Sequence, residues 1–449
     1  CVYNNRPFDK KDVEGIRSLG VGSKIDDAEK IGRYGIGFNA VYHLTDCPSF
    51  LSDDDTLGIL DPHARYAPGA THQSPGALYE HIDEELKSDF RDVMKGFEFS
   101  KYLQLKGATL FRFPLRNYLM AKNSQISNQA SLNEIEYLLS KFESETKEML
   151  LFLNYVNTVT VSHFGKDGMD VKYRVHTELS SESQTKREKL VNHAKLSKSV
   201  PTENVNCLHV TYPITLRDSR NSRKEWLIHQ RIGTENPIDP SERLHGRENG
   251  LLPRAGVAAE LFAIPSFFNT SKCQAFCFLP LPVETNLPVH VNGHFILDSA
   301  RRNLWKDRNA EGERTVWNRF VKTVVLAEAY QSLLVAAQHY ISNEQQPNSP
   351  KVKWYLNLFP KVNEVESDWK DLVICLYQLI ANKGTCLLPH IVPNLPHQTP
   401  QQNQLTWLSI WNVYFEDPSW NSRSKDLQKV LLSNGFPLVT EYWLQNNFE

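Results

Sequence analysis

Residues Ile31-Gly-Arg-Tyr-Gly-Ile-Gly-Phe-Asn-Ala-Val-Tyr-His-Leu-Thr-Asp46 contain closely spaced glycines followed by an apolar pattern of helical spacing. We call this stretch the glycine segment. Its glycines are Gly32, Gly35 and Gly37. Glycine lets the backbone approach a ligand closely, and the first N–H groups of a helix favour negative charge. The glycine segment therefore predicts a flexible loop that runs into a helix and suits a phosphate group.

Two common phosphate-binding motifs do not fit the glycine segment. Residues 35–40 match the dinucleotide fingerprint G-x-G-x-x-A, which requires a buried strand directly before the glycines. The charged residues 26–30 stand there instead, and a buried strand does not tolerate them. A P-loop is excluded because no Gly-Lys-Ser or Gly-Lys-Thr follows the glycines. A glycine-rich turn without a ligand remains the alternative.

The composition is that of an ordinary globular protein with more than one domain. The chain has 449 residues, of which 41% are hydrophobic and 23% are charged. Its formal net charge of −2 gives no overall attraction to nucleic acid or anionic membranes. Seven cysteines without a dense framework favour reduced thiols. We expect a cytoplasmic piece of a longer protein that binds no nucleic acid and does not insert into a membrane.

Hydrophobic periodicity predicts strands and helices in mixed order. Asp9 is a plausible helix N-cap, strands are predicted at 56–60 and 108–115, and Ser131-Leu-Asn-Glu134 predicts a helix start. Strands dominate between residues 156 and 296, although the polar residues 179–203 are expected to be exposed or disordered. A long helix is predicted over 311–340. The sequence thus predicts an α+β protein with parts at 1–125, 126–310 and a mainly helical 311–449.

Two other groups of residues have the composition of reactive or metal sites. The first group has the spacing of a two-Cys two-His zinc finger and consists of Cys273, Cys277, His290 and His294. A finger needs both histidines on one helix, whereas residues 289–296 resemble a strand and follow three prolines. We therefore expect no metal site there. Asp61 and His63 suggest acid–base chemistry, but Asp-Pro more often forms a turn.

Several segments together resemble the sacsin repeat family. They are Val2-Tyr-Asn-Asn-Arg-Pro-Phe8, the glycine segment, Leu60-Asp-Pro-His63, Thr109-Leu-Phe-Arg-Phe-Pro-Leu-Arg116, Leu287-Pro-Val-His-Val-Asn-Gly-His294 and Ser299-Ala-Arg-Arg-Asn-Leu-Trp305. The first part of that family resembles the ATP-binding domain of the ninety-kilodalton heat-shock chaperone, related to gyrase, histidine kinases and MutL. The resemblance implies a two-layer α/β sandwich of the Bergerat type over residues 1–125, truncated at its start, followed by a second α+β domain.

The resemblance also implies a nucleotide site. The three glycines and Phe38 fall where the family holds the triphosphate, and Thr109 falls where a hydroxyl group holds the adenine. Asn4 and Asn5 occupy the turn in which the family has an Asp that binds the adenine amino group. An Asn amide oxygen can accept that hydrogen bond, but without the charge of a carboxylate. Ala108 stands where a Gly is common and narrows the pocket.

The function implied by the resemblance is an ATP-binding chaperone or co-chaperone module of a large cytoplasmic quality-control protein. Its cofactor is ATP with Mg, and its partners are the seventy-kilodalton heat-shock system, other heat-shock chaperones, and unfolded or filament-forming clients. The family's magnesium-binding Asn and water-activating Glu would lie before Cys1. We therefore expect no metal ligands in this chain and no efficient ATP hydrolysis by it, with weak ATPase activity only in the intact protein. A non-catalytic scaffold that binds protein partners is the alternative.

A pair of arginines in the second part is a further candidate. Arg301 and Arg302 lie where the related chaperone's middle domain offers an arginine to the γ-phosphate. The forked donors and permanent charge of arginine suit that role. A solvated surface pair is the alternative.

Overall fold

The computed structural model describes residues 1–17, 36–97, 103–165, 168–198, 200–235, 251–263, 273–307, 312–344, 346, 349–392, 404–415, 430–431 and 437–439. The chain forms two compact units. The first contains Cys1–Lys147 and Thr160–Arg174, and the second contains Glu148–Val159 and Val175–Glu449. The predicted α+β class is confirmed. The three-part division at residues 125 and 310 stays a prediction.

The first unit is built on a five-stranded sheet in the order β1-β5-β2-β3-β4, with every pair antiparallel. Its strands are β1 (Val2–Asn4), β2 (Ser49–Ser52), β3 (Thr56–Leu60), β4 (Gly76–Tyr79) and β5 (Thr109–Arg112). The strands predicted at 56–60 and 108–115 are therefore confirmed. Since β1 is the first and β5 the last strand of this sheet in sequence order, their pairing brings distant motifs together.

Within the described part of the chain, six helices accompany this sheet. They are α1 (Lys10–Arg17), α2 (Ile36–Asn39), α3 (Glu84–Asp89), α4 (Arg91–Lys95), α5 (Tyr118–Asn123) and α6 (Leu132–Met149). The Asp9 carboxylate accepts a hydrogen bond from the N–H of Asp12 at 2.8 Å, so the predicted N-cap is confirmed. α2 continues as a 3₁₀ turn over Ala40–His43, and a helix therefore follows the glycines as predicted.

One face of the five-stranded sheet is apolar. Leu51, Leu57, Ile59 and Leu110 share this face and are almost fully buried. Half-buried side chains of α3 and α4 pack against them, namely Leu86, Phe90, Val93 and Met94. The sheet thus buries its leucine face beneath two short helices, and the opposite face remains for other groups.

The second unit contains strands β8 to β13 of an eight-stranded sheet, whose order is β12-β11-β13-β10-β9-β8-β7-β6. The strands are β6 (Thr158–Gly165), β7 (Gly168–Glu178), β8 (Leu208–Asp218), β9 (Arg223–Ile232), β10 (Arg254–Glu260), β11 (Gln274–Cys277), β12 (Leu279–Glu284) and β13 (His290–Gly293). β11 and β13 pair in parallel, whereas β8, β9, β10 and β13 pair antiparallel in sequence. The predicted run of strands is confirmed.

Helices supply most of the remaining core of the second unit. They are α7 (Ser181–Ser197), α8 (Glu313–Phe320), α9 (Ala327–Ala337), α10 (Pro350–Leu356) and α11 (Lys370–Lys383). Two small sheets pair β14 (Leu388–Val392) with β15 (Gln404–Leu408), and β16 (Tyr414–Phe415) with β17 (Leu438–Val439). Helical and strand segments therefore both occur after residue 311.

The predicted long helix is present as a continuous element over Glu313–Ile341. α8 and α9 are joined by a π-helical turn at Val321–Leu326. Among the described residues, this element alone is long and apolar enough to cross a membrane. However, 67% of its most apolar window is buried inside the protein, which is the pattern of a core helix.

The prediction that residues 179–203 are exposed or disordered is wrong. They contain α7, whose N-cap Ser180 accepts a hydrogen bond from the N–H of Ser183. Leu190 and Ala194 of α7 are fully buried, and so is most of Arg187. Because the buried face of α7 includes polar side chains, its apolar stripe is too narrow for the hydrophobic pattern to reveal.

Candidate functional site

The last residue of β1 and the first residue of β5 face each other in the first unit. Asn4 pairs with Thr109 in the antiparallel register, and Ser52 of β2 pairs with Thr109 from the other side. Paired residues on neighbouring strands project to the same face of a sheet. Asn4, Thr109 and Ser52 therefore form a row on one face, which is opposite to the leucine face.

Hydroxyl groups link this row. Ser52 Oγ lies 3.0 Å from Thr109 Oγ1, and the backbone N–H of Phe8 donates to Ser52 Oγ at 2.9 Å. Thr109 is fully buried and Ser52 is nearly so. A hydroxyl group can donate one hydrogen bond and accept two. The Thr109 hydroxyl is thus held in place by Ser52 and keeps capacity for a further hydrogen bond.

Phenylalanine rings cover the rest of this face. The ring of Phe111 lies 5.5 Å from Phe8, 5.7 Å from Phe38, 6.1 Å from Phe50 and 5.9 Å from Phe113, measured between centroids. Phe50 is buried, whereas the other four rings are half-buried. Half-buried rings offer a flat apolar surface on which another planar ring can stack. We call this side of the sheet, with Asn4, Ser52, Thr109 and the five rings, the phenylalanine face.

Gly58 of β3 completes the phenylalanine face. Gly58 pairs with Phe50, and a Cβ atom at position 58 would collide with the Phe50 ring. Glycine is therefore required for the Phe50 ring to lie flat over the neighbouring strand.

The structure brings three of the predicted site residues together. Asn4 and Thr109 are paired across the strands, and Phe38 of α2 packs against Phe111, two residues after Thr109. The helix that follows the glycines thus rests on the same sheet face as the predicted adenine-side hydroxyl. These contacts bring Asn4, Phe38 and Thr109, which lie far apart in the sequence, to one place in the first unit.

The structure shows fewer contacts for the other predicted site residues of the first unit. Asn5 follows β1 and is exposed, and Gly37 lies in α2. Gly32 and Gly35 lie outside the described residues. Ala108 is buried directly before β5.

Sequence reasoning missed Ser52 and Arg116. Ser52 lies 57 residues from Thr109 in the sequence. The one sequence feature that points to Ser52 is its position two residues after Phe50 in a short strand, which places both side chains on the same face. Arg116 is fully buried and pairs with Asp46 at 2.7 Å. The sequence feature that points to Arg116 is its charge, which directly follows the mainly apolar segment 109–115. Both partnerships depend on strand register, which the sequence does not reveal.

Asp61 forms a turn, as predicted for Leu60-Asp-Pro-His63. Its Oδ2 accepts hydrogen bonds from the N–H groups of Tyr66 at 2.5 Å and Ala67 at 2.9 Å. Asp61 is fully buried after the end of β3. This carboxylate therefore closes a loop beside the sheet.

Arg301 and Arg302 lie in a turn of the second unit. The Asp298 carboxylate accepts from the N–H of Arg302 at 2.8 Å, and the N–H of Asp298 donates to the Asn303 carbonyl at 2.9 Å. Arg301 has a left-handed backbone with φ of 54°. The turn fixes the backbone of the pair, whose role toward a phosphate stays a prediction.

The zinc-finger spacing corresponds to a strand, as expected. His290 lies in β13, where its Nδ1 accepts from the N–H of Gln274 at 3.0 Å and its Nε2 lies 3.1 Å from Glu148 Oε2. All seven cysteines are free thiols. Burial raises the pKa of the Cys273 thiol to about 12.

The groups on the phenylalanine face fit one part of the expected cofactor. A planar base with donor and acceptor edges can stack on the rings and bond to the Asn4 amide and the Thr109 hydroxyl. The described residues contain no group of three or more His, Cys, Asp or Glu side chains that could hold a metal ion. We therefore assign no magnesium ligand to them.

Comparison with known proteins agrees with this arrangement of motifs. Residues 1–176 match the family described as "Sacsin domain". The whole chain is similar to Sacsin of Homo sapiens, with 39% identity over 100% of the chain. The chain spans 10% of the length of that human protein. The chain is therefore similar to sacsin along its whole length, and residues 1–176 match the sacsin domain model.

Proposed function

We propose that the first unit binds an adenine nucleotide on its phenylalanine face. The observation that carries this proposal is the row of Asn4, Thr109 and Ser52 beside the ring of Phe38. The adenine amino group donates to the Asn4 amide oxygen, and the Thr109 hydroxyl bonds to a ring nitrogen. The base stacks on the half-buried rings. The glycine segment then lies on the side of the triphosphate.

The wider role we propose is that of a chaperone or co-chaperone module with a Bergerat-type ATP-binding fold. The likeness to sacsin supports a chaperone-related role. The partners that we propose are the seventy-kilodalton heat-shock system, other heat-shock chaperones, and unfolded or filament-forming clients. We place the protein in the cytoplasm, where its free thiols are stable. The proposal concerns ATP binding, and no hydrolytic step is assigned to the described residues.

A scaffold that keeps the fold without nucleotide is the second candidate. It is favoured by the end of β1, where Asn4 and the following Asn5 stand in place of the acidic residue of the related ATP-binding domains. A neutral amide gives a weaker hydrogen bond to the adenine amino group than a carboxylate does. The two candidates differ in whether ATP binds at all.

Two serines of β2 provide a matched test. Ser52 and Ser49 lie in the same strand, are both buried and project to opposite faces. Ser52 holds the Thr109 hydroxyl, whereas the Ser49 hydroxyl has no hydrogen-bond partner. In calorimetric titrations with ATP, Ser52→Ala is expected to weaken binding about fivefold, since one hydrogen bond contributes about 1 kcal/mol. Ser49→Ala is expected to leave the affinity unchanged.

The outcomes of these titrations distinguish a nucleotide site from a scaffold that does not bind nucleotide. Binding of ATP by the unmodified protein, weakened by Ser52→Ala alone, supports the nucleotide site. Equal effects of the two serine variants would contradict a site on the phenylalanine face. No heat with ATP or ADP, with partner proteins still bound, would favour the scaffold.

A further inference from the structure

α7 packs against β8 in the second unit, and hydrogen bonds near both of its ends fix its position. The Ser183 hydroxyl donates to the Pro213 carbonyl at 3.2 Å, and His193 Nε2 lies 2.7 Å from the Asn206 carbonyl. α7 therefore runs antiparallel to β8. Arg187 lies one turn after Ser183, about 6 Å along the helix, which corresponds to about two residues of a strand. This places Arg187 beside the part of β8 just before Pro213.

The guanidinium group of Arg187 is buried against neutral partners. Only 2% of Arg187 is exposed. Its Nη1 donates to Asn157 Oδ1 at 3.2 Å, and its Nε donates to Asn154 Oδ1 at 3.5 Å. Within the described part of the chain, Arg187 Nη2 has no hydrogen-bond partner. Since amides do not neutralise a charge, Arg187 bears much of the cost of leaving water.

Tyr212 of β8 supplies a second buried donor. Arg254 Nη2 donates to Gln230 Oε1 at 3.2 Å, so the amide nitrogen of Gln230 is directed elsewhere. That nitrogen donates to the Tyr212 oxygen at 2.6 Å. Burial raises the pKa of Tyr212, so its hydroxyl group keeps its proton. The structure describes no acceptor for this proton among the residues that it covers.

Both donors lie near a second guanidinium group. Burial lowers the pKa of Arg187, and the like charge of Arg254 lowers it further. Arg254 is itself buried at the start of β10. A guanidinium group donates and never accepts, and the Tyr212 oxygen already accepts from Gln230. The group that would satisfy Arg187 and Tyr212 together is therefore an acceptor with negative charge.

We propose that Arg187 and Tyr212 bind a small tetrahedral oxyanion with the chemistry of inorganic phosphate. Guanidinium groups form strong, charge-assisted hydrogen bonds to phosphate oxygens. The oxygens of phosphate point in several directions, so one ion can accept from α7 and from β8. Asn157 is exposed and Asn154 is half-buried, so the solvent reaches the site from this side. The site belongs to the second unit and does not depend on nucleotide binding by the first.

Calorimetric titration with sodium phosphate, at constant ionic strength in sodium chloride, tests this site. We expect saturable binding by the unmodified protein. Arg187→Met removes the charge and is expected to abolish phosphate binding. It should not lower the urea midpoint of unfolding in phosphate-free buffer, because a buried charge with neutral partners is lost. Arg217→Met is the matched control, since Arg217 is an exposed residue of β8, and it is expected to leave phosphate affinity unchanged.

Tyr212→Phe provides a second, milder variant if Arg187→Met does not fold. It removes one donor and is expected to weaken phosphate binding about fivefold, whereas Tyr414→Phe at an exposed position of the second unit should have no effect. Acetate, which is planar and singly charged, is expected to bind at least tenfold more weakly than phosphate.

Three results would overturn this proposal. They are the absence of saturable phosphate binding by the unmodified protein, an unchanged phosphate affinity in the folded Arg187 or Tyr212 variant, and acetate binding as tight as that of phosphate. Phosphate lacks the adenine base that Asn4 and Thr109 are proposed to bind. Each of these results would therefore leave the proposed nucleotide site of the first unit standing.

Discussion

The sheets of the two units carry different polar groups. In the second unit, Arg231 of β9 pairs with Glu328 of α9 at 2.7 Å, and both are buried. In the first unit, the phenylalanine face carries the neutral hydroxyls of Ser52 and Thr109. A buried charge needs a partner, so such pairs fix the structure. A neutral hydroxyl group needs no charged partner and can form more than one hydrogen bond, so the phenylalanine face is the better place for binding.

The second unit also contains a larger network of charged side chains, which strengthens the contrast with the neutral hydroxyl groups of the first unit. Lys224 of β9 lies 3.2 Å from Glu148 and 3.0 Å from Glu260, and His290 bonds to Glu148. Although burial raises the pKa of Glu148, hydrogen bonds from His290 and Lys224 outweigh burial and lower that pKa to about 2. The charges of Lys224, Glu148 and Glu260 are therefore satisfied by one another and by His290 within the second unit.

Tryptophan fluorescence can separate the two units. All nine tryptophans lie at or after residue 226, within the second unit. Fluorescence therefore reports unfolding of the second unit alone, whereas circular dichroism reports both units.

The largest expected effect comes from breaking the Arg231–Glu328 pair. Glu328→Ala leaves a fully buried guanidinium without its nearest carboxylate, and we expect the free energy of unfolding to fall by about 3–5 kcal/mol. Urea unfolding followed by tryptophan fluorescence measures this loss. The double variant Arg231→Met with Glu328→Leu removes both charges and is expected to cost less than Glu328→Ala. Equal losses in the single and double variants would contradict a stabilising pair.

The second effect is a dependence of stability on pH. The pKa of Glu148 is lower in the folded protein than its ordinary value of 4.5. The stabilisation is therefore complete above pH 4.5 and is lost as the pH falls toward 2, by roughly 3 kcal/mol. Glu148→Gln should flatten this acid decline, whereas Glu188→Gln at an exposed position of α7 should not. A decline of the same size in both variants would assign the pH dependence to other groups.

The third effect concerns ligand binding on the phenylalanine face. Thr109→Val keeps the shape of the side chain and removes its hydroxyl group. We expect ATP affinity to fall about tenfold, with a loss of about 1 kcal/mol in stability as Ser52 loses its partner. Calorimetry with ATP and adenosine should show the same loss for both ligands, because Thr109 serves the base. A loss confined to ATP would contradict this assignment.

The smallest expected effect is a gain in ATP affinity. Asn4→Asp restores a carboxylate opposite Thr109 and should strengthen ATP binding by roughly threefold, because charge-assisted hydrogen bonds are stronger. Asn128→Asp adds the same charge at an exposed position of the first unit and should have no effect. Weaker binding after Asn4→Asp, measured by calorimetry, would exclude Asn4 as the acceptor for the adenine amino group.

Local patterns predicted the elements well. Alternation identified β3 and β5, helical spacing identified the helix over Glu313–Ile341, and Asp9 identified the start of α1. These signals lie within a few residues of each other, so the sequence contains them directly. α7 was missed because its buried face includes the polar side chains of Ser183 and Arg187.

The candidate site was predictable only in part. Asn4, Phe38 and Thr109 came from motifs, and the structure brings them to one face. The contacts that hold them come from Ser52 and Arg116, which are 57 and 70 residues from their partners. Such contacts follow from strand pairing and from the fold of the whole unit, which periodicity does not encode.

The central claim is that the first unit binds ATP with its glycine segment on the phosphate side. Calorimetric titration of Mg-ATP into the protein and into the double variant Gly35→Val with Gly37→Val tests this claim most directly. We expect measurable heat with saturation for the unmodified protein. The double variant should lose ATP binding, since valine side chains block the close approach of the backbone. Absence of heat in the unmodified protein, or an unchanged ATP affinity in the double variant, would contradict the claim.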